Sequence, residues 1–65
     1  MSNYIVYGKA KDMKTFKAMD LKNGHPVNNL IYASVFWDAE IEKMNSTITE
    51  LEKDNPEWQF KFKKI

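Results

Sequence analysis

Lysine and aromatic side chains are interleaved through the first half of this 65-residue chain. Lys9, Lys11, Lys14 and Lys17 surround a first hairpin, and Tyr7, Phe16 and Tyr32 fall on the strands beside them. An ammonium group attracts a phosphate by charge, and an aromatic ring takes a base by stacking, so the combination suits a phosphorylated base. A polar loop at 22–29, Lys-Asn-Gly-His-Pro-Val-Asn-Asn, adds Asn23, His25, Asn28 and Asn29. Their amides and ring can donate to and accept from a ligand. The candidate ligand-binding set is therefore Lys9, Lys17, Asn23, His25, Asn28, Asn29 and Tyr32. A plainer reading stands beside it: lysines block sheet edges against aggregation, and asparagines are ordinary loop residues.

Catalytic chemistry has little to draw on. His25 is the only histidine, and no nucleophile elbow surrounds Ser2, Ser34 or Ser46. The absence of cysteine excludes disulfides and thiolate metal sites. Glu40, Glu42, Glu50, Glu52 and Asp54 read as the wet side of a helix rather than as an acid–base pair. The reading assigns no catalytic residue, no metal and no cofactor, and expects a protein that is not an enzyme. Ten lysines against nine carboxylates leave a net charge of +1, and arginine is absent. Bidentate recognition of phosphate or guanine by Arg is therefore missing, which counts against nucleic acid as the partner.

The elements that must carry these residues follow from periodicity. Tyr4-Ile5-Val6-Tyr7 is aromatic and β-branched, and it predicts a strand over 3–10. A second, antiparallel strand is expected over 15–21, and the nearly continuous apolar run at 30–36 reads as a third. Trp37, Ile41, Met44, Ile48 and Leu51 then recur at steps of four and three, which is the stripe of an amphipathic helix. Asp38 is a candidate N-cap, and Asn55-Pro56 a stop, with Asn55 suited to the left-handed conformation. Trp58, Phe60 and Phe62 alternate with Gln59, Lys61 and Lys63, which gives a last strand with one dry face. The fold class is α+β, ordered β-β-β-α-β, with a four-stranded, mostly antiparallel sheet and one helix packed on one face. The crossover makes the third and fourth strands parallel, and the expected spatial order is 4-1-2-3.

Size and pattern both point to assembly. A 65-residue domain buries only about 60% of the surface its unfolded chain exposes, and small domains usually add a staple. With disulfides excluded, a partner subunit is the expected one. One helix roofs one face of the sheet, yet the first three strands carry apolar groups on both faces: Ile5 and Tyr7 oppose Tyr4 and Val6, for example. The second face is expected to present several hundred Å² of apolar surface, a size that marks an interaction site. The alternative is that loops and strand ends shield it.

Tyr4 to Tyr7, Phe16-Lys17-Ala18-Met19-Asp20, Asn29-Leu30-Ile31-Tyr32-Ala33 and the closing Asn55-Pro56-Glu57 with Phe60-Lys61-Phe62-Lys63-Lys64-Ile65 together resemble short uncharacterised proteins of phages and plasmids of low-GC Gram-positive bacteria. The resemblance implies a mobile-element protein of the host cytoplasm. Met1-Ser2-Asn3 agrees, because it leads into a strand without the basic and apolar segments of an export signal. No apolar run is long enough for a membrane span. The resemblance carries no activity of its own, but compact proteins of that origin often act against host immunity, so a role in anti-defence is expected, exercised by the homo-oligomer, dimer or higher, that size and pattern imply. Such a protein would sequester a small nucleotide signal or block a host defence protein. A nucleic-acid-binding regulator and a structural phage component remain the alternatives.

Overall fold

The computed structural model describes residues 2–65. Its elements are β1 (Asn3–Ala10), β2 (Lys17–Asp20), β3 (His25–Pro26), a 3-10 turn (Leu30–Tyr32), β4 (Val35–Trp37), a second 3-10 turn (Asp38–Glu40), α1 (Ile41–Asp54) and β5 (Trp58–Lys64). The architecture is α+β: one helix lies against an open sheet whose ladders are all antiparallel. β1 is the organising strand. Along one edge it pairs with β5 from Tyr4↔Lys64 to Ala10↔Trp58. Its other edge is shared, with Tyr7 and Gly8 facing β2 and Asn3 to Ile5 facing β4. β3 extends the sheet outward from β2.

The last strand therefore sits beside the first, as the pattern predicts, and β4 and β5 run parallel to each other across β1. The expected four-stranded order 4-1-2-3 departs from the structure in two places: the sheet is five-stranded, because His25–Pro26 of the expected loop pairs with β2, and the third long strand is placed differently. The third long strand lies beside β1 rather than outside β2, because of the apolar run at 30–36 only Val35 and Phe36 enter a strand. Leu30–Tyr32 winds into a 3-10 turn instead, capped by the Asn29 side chain, whose Oδ1 accepts from the Ile31 N–H at 3.1 Å. An asparagine directly before the run supplies this local bond, and it competes with strand formation.

The core forms where the helix stripe meets the middle of β1. Val6 and Met44 are fully buried and Ile48 nearly so, with Tyr4, Leu21, Phe36 and Phe60 packed around them. Strand pairing puts opposed residues on one face, so Val6, Gly8 and Ala10 share the helix side with Phe62, Phe60 and Trp58. Trp58 stacks on Phe60 at 5.9 Å, and Tyr4 meets Phe62 edge-on at 5.8 Å. Gly8 is glycine for a steric reason: a Cβ there would lie 3.0 Å from both Met19 Sδ and Phe60 Cε1.

Three end effects differ from the sequence reading. Trp37 leaves the helix stripe, because its place in β4 opposite Asn3 turns it to the far face. Asp38 does not cap the helix. Its carboxylate accepts from the Ser2 N–H at 2.9 Å and so pins the start of β1. Asn55 has φ −131° rather than a left-handed value, and both its backbone N–H and its side-chain amide donate to Leu51 O. That double bond occupies a terminal carbonyl of the helix without a change of hand.

Candidate functional site

β2 and β4 lie end to end along the same edge of β1, both antiparallel to it. They behave as one strand interrupted by an excursion over residues 21–34. Ser34 closes the neck: its N–H donates to Met19 O at 3.0 Å, and its hydroxyl accepts from the Leu21 N–H at 2.9 Å. The ends of this lobe are thereby held together, as in a compact Ω-loop.

Within the lobe, the turn from β2 into β3 is built by Asp20. Its Oδ1 accepts from the N–H groups of Lys22 and Asn23 at 3.0 and 3.2 Å, and its Oδ2 from the Asn23 side-chain amide at 2.8 Å. Gly24 completes the turn with φ 75° and donates its N–H to Asp20 O at 2.7 Å. A residue with a Cβ is strained at that φ, so glycine belongs there. The Asn23 side-chain amide, followed by its backbone N–H, holds the Asp20 carboxyl below its ordinary 3.8; His25 contributes a smaller attraction.

After His25–Pro26 the pairing continues, with the Val27 N–H donating to Ala18 O at 2.8 Å. The chain must then cross β2 to reach the β1 edge at Ser34. Ala18 and Ile5 both point away from α1, and they are only 5% and 2% exposed. Their burial puts the crossing segment over that far face. The result is an open pocket of about 430 Å³ on the lobe, lined by Asp20, Asn23, His25, Val27, Asn28, Asn29 and Tyr32.

Five of the seven residues expected from the sequence thus meet around one opening: Asn23, His25, Asn28, Asn29 and Tyr32. They are not equally available. Asn23 is held by Asp20, and Asn29 by the 3-10 turn. The His25 Nδ1 lies 3.1 Å from Pro26 O. A carbonyl can only accept, so the proton sits on Nδ1 and Nε2 is left to accept. Tyr32 is 64% exposed and offers a ring face. The Asn28 amide is exposed as well.

Lys9 and Lys17 stand elsewhere. Lys9 lines a different depression with Lys11, Glu57 and Gln59, at the far end of β1. Lys17 pairs with Gly8 and points to the helix side, because successive residues of a strand alternate. The aromatic rings expected beside these lysines are covered by others. Lys61 Nζ sits 4.2 Å above the Phe16 ring, and Lys63 Nζ 5.8 Å from the Tyr7 ring. Sequence reasoning missed Asp20, Val27 and Ser34. An Asp four residues before the Gly of an Asn-Gly pair is a turn signal that points to the first; Ser34 has no local signature, since its partner is thirteen positions away.

Among the described residues no group of three or more His, Cys, Asp or Glu side chains is placed to hold a metal, and no helix is long and apolar enough to cross a membrane. Compared with known protein families, curated proteins and solved structures, the chain matches none of them.

Proposed function

We propose that this chain is a small non-enzymatic binding protein that works as a homo-oligomer and takes the base of a small nucleotide in its lobe. The carrying observation is the convergence of Asn23, His25, Asn28, Asn29 and Tyr32 on one pocket of the excursion. The exposed Tyr32 ring gives a stacking surface worth about 1–3 kcal/mol per base. The Asn28 amide and His25 Nε2 supply a donor and acceptors for a base edge, and the ionised Asp20 carboxylate accepts from a ring amine. Lys9 and Lys17 lie away from this pocket, and Asp20 repels a phosphate, so recognition falls on the base within a single subunit.

The biological setting follows from the resemblance to mobile-element proteins. A stoichiometric binder of that origin acts in anti-defence by removing a nucleotide signal from the host cytoplasm, or by covering a host protein. Sequestration needs a pocket and no turnover, which matches a chain with one histidine and no cysteine.

Thermal unfolding with cyclic mononucleotides, cyclic dinucleotides and ADP-ribose tests the reading. A ligand at a hundred times its Kd stabilises by about 2.7 kcal/mol, a rise in Tm of roughly 10–20 °C for a domain this small. Tyr32→Ala should remove the rise. A panel that leaves Tm unmoved would dispose of the nucleotide reading and leave a host protein surface as the target.

A further inference from the structure

The sheet face away from α1 is stepped. On the β2 side the crossing segment adds a second layer, with Ala18 buried beneath it. On the β5 side there is no such layer, and the Lys61 and Lys63 side chains form the surface over Phe16 and Tyr7. Between them lie Val35, Trp37 and Ile65, which pairing with Ile5 and Asn3 turns to this face. They are 51%, 47% and 62% exposed. Asp20 lines the pocket at the thick edge, whereas Lys61 and Lys63 arise from β5 at the thin one, the Lys61 ammonium reaching across to the Phe16 ring.

The molecule also carries more surface than its mass calls for. It exposes 4843 Å², whereas a compact monomer of 7.7 kDa presents about 4,300 Å². The excess of roughly 500 Å² compares with about 800 Å² per partner in a standard interface. A helix or a foreign chain would cover the apolar strip, but only a thick-and-thin partner fills the step. A second copy has that shape.

We propose that a second copy of this chain docks on the far face of the sheet through a two-fold axis parallel to the strands. Each lobe then lies over its partner's thin edge, and the partner's Lys61 and the partner's Lys63 come over the lobe pocket. The alternative axis, perpendicular to the strands, sets lobe on lobe. It brings the two thick edges together, and it leaves the thin edges apart. Only the strand-parallel axis fills the step on both sides, and isologous contact of one patch with itself is the usual way dimers form. This arrangement adds to the proposed nucleotide pocket the cations that a single subunit lacks there. The ligand role of those lysines rests on that earlier reading, and the dimer geometry does not.

The chain has no cysteine, so introduced thiols report positions without interference. In sedimentation at micromolar concentration the protein should run at twice 7.7 kDa. Val35→Glu, at a site already half exposed in the subunit, should run as a monomer with an unchanged far-UV circular dichroism spectrum. Mild oxidation of mixed Asn28→Cys and Lys61→Cys proteins should trap the mixed disulfide in large excess over either self-disulfide. A wild-type monomer, a Val35→Glu dimer, or dominant Asn28→Cys self-disulfide would each overturn the proposal. All three readouts are free of ligand, so a failed nucleotide screen leaves them standing.

Discussion

On the helix side of the sheet, Val6 and Met44 lose all contact with water, whereas on the far side Val35 and Trp37 stay about half exposed. Both pairs bracket the same central strand. The helix side is closed by a 3.6-residue repeat that meets a two-residue repeat, so each apolar side chain finds a partner across the layer. The far side is closed only by a loop segment and by lysine stems, and it is closed unevenly. Burial on one face comes from regular elements, while burial on the other depends on a few hydrogen bonds at a neck. Stability should therefore be concentrated at the helix side, and adaptability at the lobe.

Substitutions on the two sides should differ in size and in kind. Met44→Ala removes a fully buried side chain and should cost about 2–5 kcal/mol. In a domain this small that approaches the total stability, so loss of the cooperative thermal transition in circular dichroism is expected. Gly8→Ala forces Met19 and Phe60 aside and should cost about 1–3 kcal/mol by overpacking, read as a lower urea midpoint at unchanged slope. On the lobe, Ser34→Ala leaves the Leu21 N–H without its 2.9 Å partner, at about 1 kcal/mol. Its mark should be faster amide exchange at residues 21–34 with protection at Val6 and Met44 retained. Uniform acceleration across the chain would mean the two sides unfold together.

The smallest effect is expected from pH. Asp20 has a native pKa lowered below 3.8, chiefly by the Asn23 side chain. A lowered carboxyl stabilises the folded turn at pH values above 3.8, and that contribution is lost as pH falls through the native value. NMR signals of the Lys22 and Asn23 amides should follow this acid transition before the core residues move. Asp20→Asn should abolish it.

Much of this contrast could be read from the chain alone. The stripe Ile41, Met44, Ile48, Leu51 and the alternation of Trp58 to Lys63 each identify an element by spacing, and both elements lie where the spacing says. The run at 30–36 was harder, because apolar composition signals contact without saying with what. Leu30 and Ile31 are exposed, held in a turn by Asn29, and that bond outweighs their preference for extended backbone. The irregular backbone at Asn23, Asn28 and Asn29 was legible because asparagine marks turns, whereas His25 and Pro26, expected in the same loop, pair with β2 as β3. The distance of Lys9 and Lys17 from the pocket was not legible, since it depends on which end of β1 holds Lys9, on which face of β2 Lys17 takes and on where the chain crosses β2. Ser34 could be recognised only once Met19 and Leu21 were seen beside it.

The interrupted strand has a consequence for how this molecule tolerates change. Tyr7 faces Ala18 and Ile5 faces Val35, so a chain joined from Met19 directly to Val35 would keep both pairings in step along β1, with Met19 opposite Val6. The excursion can then be lengthened, shortened or exchanged like a cartridge while the helix and the strands behind it keep their places. A family built on this plan would be free to acquire new targets by rewriting one contiguous stretch.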